Sequence, residues 1–158
     1  IAHGTTFRRA VEEGLLDCPR VVQIGQRAQG YAADDFQWGV DQGFHLVPAE
    51  QCWYRSMTPL MAEVRARIGN GPVYLSYDID SFDPAWAPGT GTPEVGGLTS
   101  MQGLEIVRGC RGLNLVGGDL VEVSPPYDIS GMTSQLAANI LYEMLCVLPG
   151  VRYTEKKA

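Results

Sequence analysis

The chain has 158 residues, 45% of them apolar, and a formal charge of −6, which is enough for one globular domain with a substantial core. The acidic balance argues against nucleic acid or an anionic membrane surface as partner. The chain contains no run of ~18 apolar residues that would cross a bilayer. Ile1-Ala2-His3-Gly4-Thr5 has neither the basic stretch nor the apolar stretch of a signal peptide, and no initiating Met, which fits a chain cut from something longer. Cys18, Cys52, Cys110 and Cys146 are scattered with no C-x-x-C pair, so they are expected as buried free thiols in a reducing compartment. That compartment is the cytoplasm, or the mitochondrial matrix in a eukaryote.

In chain order, Thr5 or Thr6 is placed to cap a helix through about Glu13 that Gly14 closes. Val21-Val22-Gln23-Ile24-Gly25 and Phe44-His45-Leu46-Val47 read as strands. Thr58-Pro59 reads as an N-cap with proline at the first helical position, and Leu60, Met61, Val64 and Ile68 recur at helical spacing up to Gly69-Asn70-Gly71. A strand from Val73 carries Asp78 and Asp80. Ser81 to Leu98 then forms a long segment rich in proline and glycine, and loops of that length in compact domains are usually functional. Thr99-x-x-Gln102 is a capping box for a helix with Leu104 and Val107 inward, ending near Gly109. Leu113 to Val123 is a strand with an irregularity at Gly117-Gly118. A last helix, from about Thr133 to Val147, puts Leu136, Ile140, Met144 and Val147 on one face. The tail from Glu155 is expected to fray. This β-α-β rhythm predicts an α/β fold with a mostly parallel sheet covered on both faces, without a linker dividing residues 1–158.

Chemistry concentrates in Tyr77-Asp78-Ile79-Asp80-Ser81-Phe82-Asp83-Pro84. If the strand runs through Asp80, alternation points both aspartates to one side with their Cα atoms about 7 Å apart. Two ionised carboxylates so close repel, and a divalent cation between them is the usual remedy. Asp83 before Pro84 reads as a turn former. His45, between Phe44 and Leu46, reads as structural. An isolated D-x-D also fits a nucleotide-sugar transferase, but that reading leaves the Gly-Thr-Gly-Thr-Pro loop and the Glu122 segment unexplained.

The continuation is more specific. Asp78-Ile79-Asp80-Ser81-Phe82-Asp83-Pro84, Ala87-Pro88-Gly89-Thr90-Gly91-Thr92-Pro93-Glu94 and Gly96-Gly97-Leu98-Thr99 resemble the signature of the ureohydrolases: arginases, agmatinases and guanidino-acid hydrolases. Gly25-Gln26-Arg27, Leu120-Val121-Glu122-Val123-Ser124-Pro125-Pro126-Tyr127-Asp128 and Ala137-Ala138-Asn139 resemble its agmatinase and guanidinobutyrase side, and Arg27-Ala28-Gln29-Gly30-Tyr31 leans toward guanidinobutyrase. The resemblance implies the family's three-layer α/β/α fold, incomplete at its amino-terminal side, with residues 1–158 as the carboxyl-terminal part of the catalytic domain. It implies hydrolysis of a guanidino compound such as agmatine or 4-guanidinobutyrate to urea and an amine. Asp78 and Asp80 become ligands of a two-Mn²⁺ centre. Glu122 grips the guanidinium, Thr92 lies near the substrate, and His3 shuttles a proton to the leaving amine. A trimeric or hexameric homo-oligomer is also implied.

The chain departs from that family in lacking the Gly-Gly-Asp-His and Asp-Ala-His-x-Asp motifs that supply the remaining ligands, so this segment alone is expected to be inactive. Gly118 and Met132 stand where cysteine and asparagine are expected in the nearest relatives. The rival reading is a non-catalytic relative that keeps the fold and oligomerises.

Overall fold

The computed structural model describes residues 2–28 and 34–152. The Gln29-Gly30-Tyr31 stretch and the tail from Glu155 lie outside them. A 3₁₀ turn at His3–Thr5 leads into α1 (Thr6–Glu12), followed by β1 (Val22–Gln26), α2 (Asp35–Asp41), β2 (His45–Pro48), α3 (Thr58–Ile68) and β3 (Pro72–Asp78). After the site loop come α4 (Ser100–Gly109), β4 (Asn114–Val121) and α5 (Met132–Cys146). β1 pairs with β2 and β3 with β4, both parallel, as the alternation of strands and helices predicts. Among the described residues the two pairs are not hydrogen-bonded to each other, which leaves one edge of each of the four strands without a strand partner. None of the described helices is long and apolar enough to cross a membrane.

Local chemistry explains most element boundaries and corrects some. The Thr5 hydroxyl does not cap α1. It accepts from the Ala2 amide at 2.9 Å and donates to the Ala2 carbonyl at 2.8 Å, closing the preceding turn. Thr58 lies inside α3 rather than capping it, with Met57 as the residue before the first turn. The Met57 amide donates to Glu105 Oε2, which ties α3 to α4. The capping box of α4 forms as expected, Thr99 and Gln102 satisfying each other's amides. The buried Gln102 side chain also donates to the carbonyls of Cys52 and Arg55, so one residue both starts a helix and anchors a loop 50 residues away. Sequence reading missed α2, a seven-residue helix with Gly39 at its contact with Phe44 and Leu46.

One core runs through the molecule, with Met57, Met61, Ile79, Phe82, Leu98, Val107 and Ile140 almost wholly enclosed. Cys52 and Cys110 are buried in it, Cys18 and Cys146 half-buried, and no disulfide forms. Burial pushes the Cys110 thiol up to about 11. In β3 the odd-numbered residues Val73, Leu75 and Tyr77 face this core, and Tyr74 is 58% exposed on the other face. In β4 the pairing slips once: Val73 lies opposite Leu115 and Tyr74 opposite Gly117, leaving Val116 as a bulge residue, beside the predicted irregularity.

α4 rests on the stacked rings of Tyr77 and Phe82, whose centroids are 5.5 Å apart. The contact is so close that a Cβ on Gly103 would stand 2.4 Å from two Phe82 ring carbons and 2.7 Å from the Tyr77 hydroxyl oxygen. Glycine to alanine in a free helix gains about 1 kcal/mol, but overpacking a dense core costs about 1–3 kcal/mol. Gly103→Ala should therefore lower the melting temperature by several degrees. A rise, measured by calorimetry, would mean that α4 can lift away freely.

Candidate functional site

β3 carries Asp78 to the edge of the core and stops there. The expected continuation of the strand through Asp80 is not what forms. Residues Ile79–Ser81 make a 3₁₀ turn, in which the Asp80 amide donates to Asp78 Oδ1 at 3.1 Å. An aspartate side chain accepting from the amide two residues on offers the backbone an alternative to the strand ladder. Ile79, fully enclosed, pins the turn from below. The two carboxylates thus converge through a turn and not through strand alternation.

The other expected site residues gather around this pair. Thr92 Oγ1 donates to Asp80 Oδ2 at 2.6 Å, across the long loop. Val121 lies opposite Asp78 in the parallel register, so the next residue, Glu122, emerges beside Asp78. His3 Nδ1 is 3.3 Å from Glu122 Oε1, with the imidazole almost fully in solvent. Asp83 remains a turn former: its two oxygens accept from the Ala85 amide at 2.9 Å and the Gly96 amide at 2.8 Å, which holds its carboxyl below the usual range. His45 sits in β2 opposite Val22.

Glu122 adopts a left-handed backbone, φ 67°, a conformation that costs a residue with a Cβ about 1–2 kcal/mol. It is held there by Thr90, a buried residue that sequence reading passed over. Thr90 Oγ1 donates to the Glu122 carbonyl at 2.8 Å, and Thr90 forms an isolated antiparallel bridge with Val123. A threonine inside a Gly-Thr-Gly-Thr run gives no sign that it will reach a carbonyl 32 residues away.

The electrostatics suit a cation. The Asp78 side chain is partly open to solvent, yet its carboxyl is pushed up to about 7, first by desolvation, then by the Asp80 charge and their shared hydrogen bond, with Glu122 adding more distant repulsion. Hard oxygen donors crowded in this way are the donor chemistry of Mn²⁺, Mg²⁺ or Ca²⁺. Among the described residues no group of three or more histidine, cysteine, aspartate or glutamate side chains gathers to enclose a metal, so Asp78 and Asp80 offer part of a ligand set. Surface depressions of about 310 and 280 Å³, lined by Thr5, Arg8, Arg9 and Glu12 and by residues of α3 and α4, contain none of the five site residues. The carboxylate cluster stands open at the end of β3.

A sequence profile of the arginase family matches residues 1–146. The guanidinobutyrase of Pseudomonas aeruginosa is 74% identical over 151 residues, covering 96% of this chain and 47% of that protein. The mitochondrial agmatinase of Gallus gallus is 66% identical over 152 residues, covering 96% of this chain and 45% of its own length. Among solved structures, the proclavaminate amidino hydrolase from Streptomyces clavuligerus superposes with a TM-score of 0.86 at 42% identity, over 90% of this chain and 48% of that one. The chain thus spans a little under half the length of these relatives.

Asp78 makes stability depend on pH. Its folded-state affinity for a proton exceeds that of the unfolded chain, so between about pH 4 and pH 7 the folded state binds more protons and stability falls as pH rises. With divalent cations chelated, the melting temperature should decline across that window, and Asp78→Asn should flatten the decline. An unchanged slope in Asp78→Asn would show that other groups set it.

Proposed function

The chain belongs to the arginase family, and from that membership and the convergence of five polar side chains at the end of β3 we propose that the complete protein hydrolyses a guanidino compound to urea and an amine. The observation that carries the reading is the contact chain Thr92–Asp80–Asp78 beside Glu122–His3. Asp78 and Asp80 would hold Mn²⁺, with further ligands from polypeptide beyond this segment. A divalent metal lowers the pKa of water and so supplies a nucleophile at neutral pH.

The chain's own groups do the rest. Glu122 presents a carboxylate to the guanidinium, where two parallel N–H donors match its two oxygens. Its left-handed backbone, held by Thr90, sets that carboxylate beside His3. Thr92 holds Asp80 in place by donating to one of its oxygens. His3, 3.3 Å from Glu122 and open to solvent, is placed to hand a proton to the departing amine as the C–N bond breaks. Water and the guanidino compound are consumed, and urea and the amine are formed. The likeness to a guanidinobutyrase favours 4-guanidinobutyrate over agmatine as the substrate. We place the protein in the cytoplasm or mitochondrial matrix, as a homotrimer or homohexamer.

In the complete protein, Asp80→Ala should weaken Mn²⁺ binding and abolish urea release while the fold persists. Wild-type turnover by a metal-stripped Asp80→Ala variant would remove Asp80 from the site. Glu122→Gln keeps the volume but loses a charge-assisted hydrogen bond, a class worth about 1.5–3 kcal/mol. The expected loss in kcat/KM is at least about tenfold, since ~1.4 kcal/mol is a factor of ten. An unchanged value would leave Glu122 with a structural role only.

A further inference from the structure

Arg27 directly follows β1, and its guanidinium is half-buried where three segments meet. Nε donates to the carbonyls of Glu94 and Val95, both at 3.1 Å. Nη1 donates to Gly25 at 3.4 Å and Ser81 at 3.3 Å. Nη2 donates to Asp80 at 2.8 Å, Phe82 at 3.1 Å and Glu94 at 2.5 Å. Each of these acceptors is a neutral backbone carbonyl, and they belong to the end of β1, the 3₁₀ turn after β3 and the far arm of the site loop. The packing is tight: a Cβ on Gly97 would lie 2.8 Å from Arg27 Nη2 and 2.4 Å from the Asp83 amide nitrogen.

The geometry converges on Asp80. Its amide is held by Asp78 Oδ1, its carboxylate by Thr92, and its carbonyl by Arg27. Thr92 itself stands two residues before Glu94, which the same guanidinium grips. One planar cation with five N–H donors therefore sets both the turn that carries Asp80 and the loop that reaches back to it. A lysine has the charge but not the fork, and cannot span three segments at once.

We propose that Arg27 is a positioning residue that holds the Asp80 carboxylate in its metal-binding geometry through the backbone, touching neither metal nor substrate. The inference rests on the reading of Asp80 as a metal ligand given above. Its test uses the complete protein with Arg27→Lys and Arg27→Ala, titrating each with Mn²⁺ by electron paramagnetic resonance and measuring kcat and KM against Mn²⁺ concentration. In Arg27→Lys, Mn²⁺ affinity should fall at least tenfold. Activity at low Mn²⁺ should fall with it and recover at excess Mn²⁺, with KM for the guanidino substrate within twofold of wild type. Arg27→Ala should show the larger loss of affinity, and if it fails to fold, Arg27→Lys decides alone. A lowered melting temperature with unchanged Mn²⁺ affinity would reduce Arg27 to a structural strut and overturn the proposal, as would a raised KM at saturating Mn²⁺. The loss of Mn²⁺ affinity without any urea release by the wild type would refute the proposed reaction and leave the role of Arg27 standing. A wild type that binds no Mn²⁺ would overturn both.

Discussion

Two like charges at the end of β3 are the constraint around which the site is organised. Asp78 and Asp80 share a hydrogen-bonded turn although the Asp80 charge disfavours the ionisation of Asp78. Such an arrangement persists only if the surroundings over-determine it. Below the turn, Ile79, Phe82 and Leu98 are almost completely enclosed, and burying each such side chain contributes about 1.5–3 kcal/mol. Phe82 and Leu98 also bridge, and the Leu98 amide donates to the Ser81 carbonyl at 2.9 Å. The hydrophobic core thus offsets the repulsion that its own surface carries.

The loop from Ser81 to Leu98 is irregular in conformation but not loosely attached. Trp53 Nε1 donates to the Gly96 carbonyl at 2.8 Å, Gly89 donates to Thr133 Oγ1 at 2.9 Å, and Ser124 donates to the Gly89 carbonyl at 2.8 Å. Thr133 lies in the first turn of α5, where its own amide and that of Ser134 donate to the Asp128 carboxylate. The arm carrying Thr90 and Thr92 is therefore moored to a helix start that is itself capped from outside. Site residues on a loop acquire in this way the rigidity of the elements around it.

Much of this was legible in the sequence where a single period or a local rule governs. The apolar runs of β1 to β4, the 3.6-residue spacing in α3 and α5 and the Thr99–Gln102 box all translate directly into structure. What failed were places where two local rules compete. Alternation extends β3 to Asp80, but Asx-turn chemistry at Asp78 wins and ends the strand early. α2 went unread because seven residues with a glycine near the end carry too little periodicity. Arg27 and Thr90 were illegible for a different reason: their partners are backbone carbonyls, which every residue has, so no partner residue marks the pairing.

Val116 has no counterpart in β3, and the bulge that takes it up sets which way the rest of β4 faces. Before it, Leu115 points into the core, and after it Leu120 does, an odd and an even position on the same side. The bulge acts as a frame correction written in three dimensions. Straightening the bulge with Val116 kept in regular alternation would leave every amino acid unchanged while exchanging inside for outside downstream. Leu120 would turn to water, Asp119 would leave the hydroxyls of Tyr74 and Ser76 for an apolar interior, and Glu122 would lose its place beside Asp78. Deleting Val116 would instead leave a regular ladder, with Leu115 and Gly117 in succession opposite Val73 and Tyr74, Leu120 still inside and Glu122 still beside Asp78, so the site depends on the bulge and not on the valine.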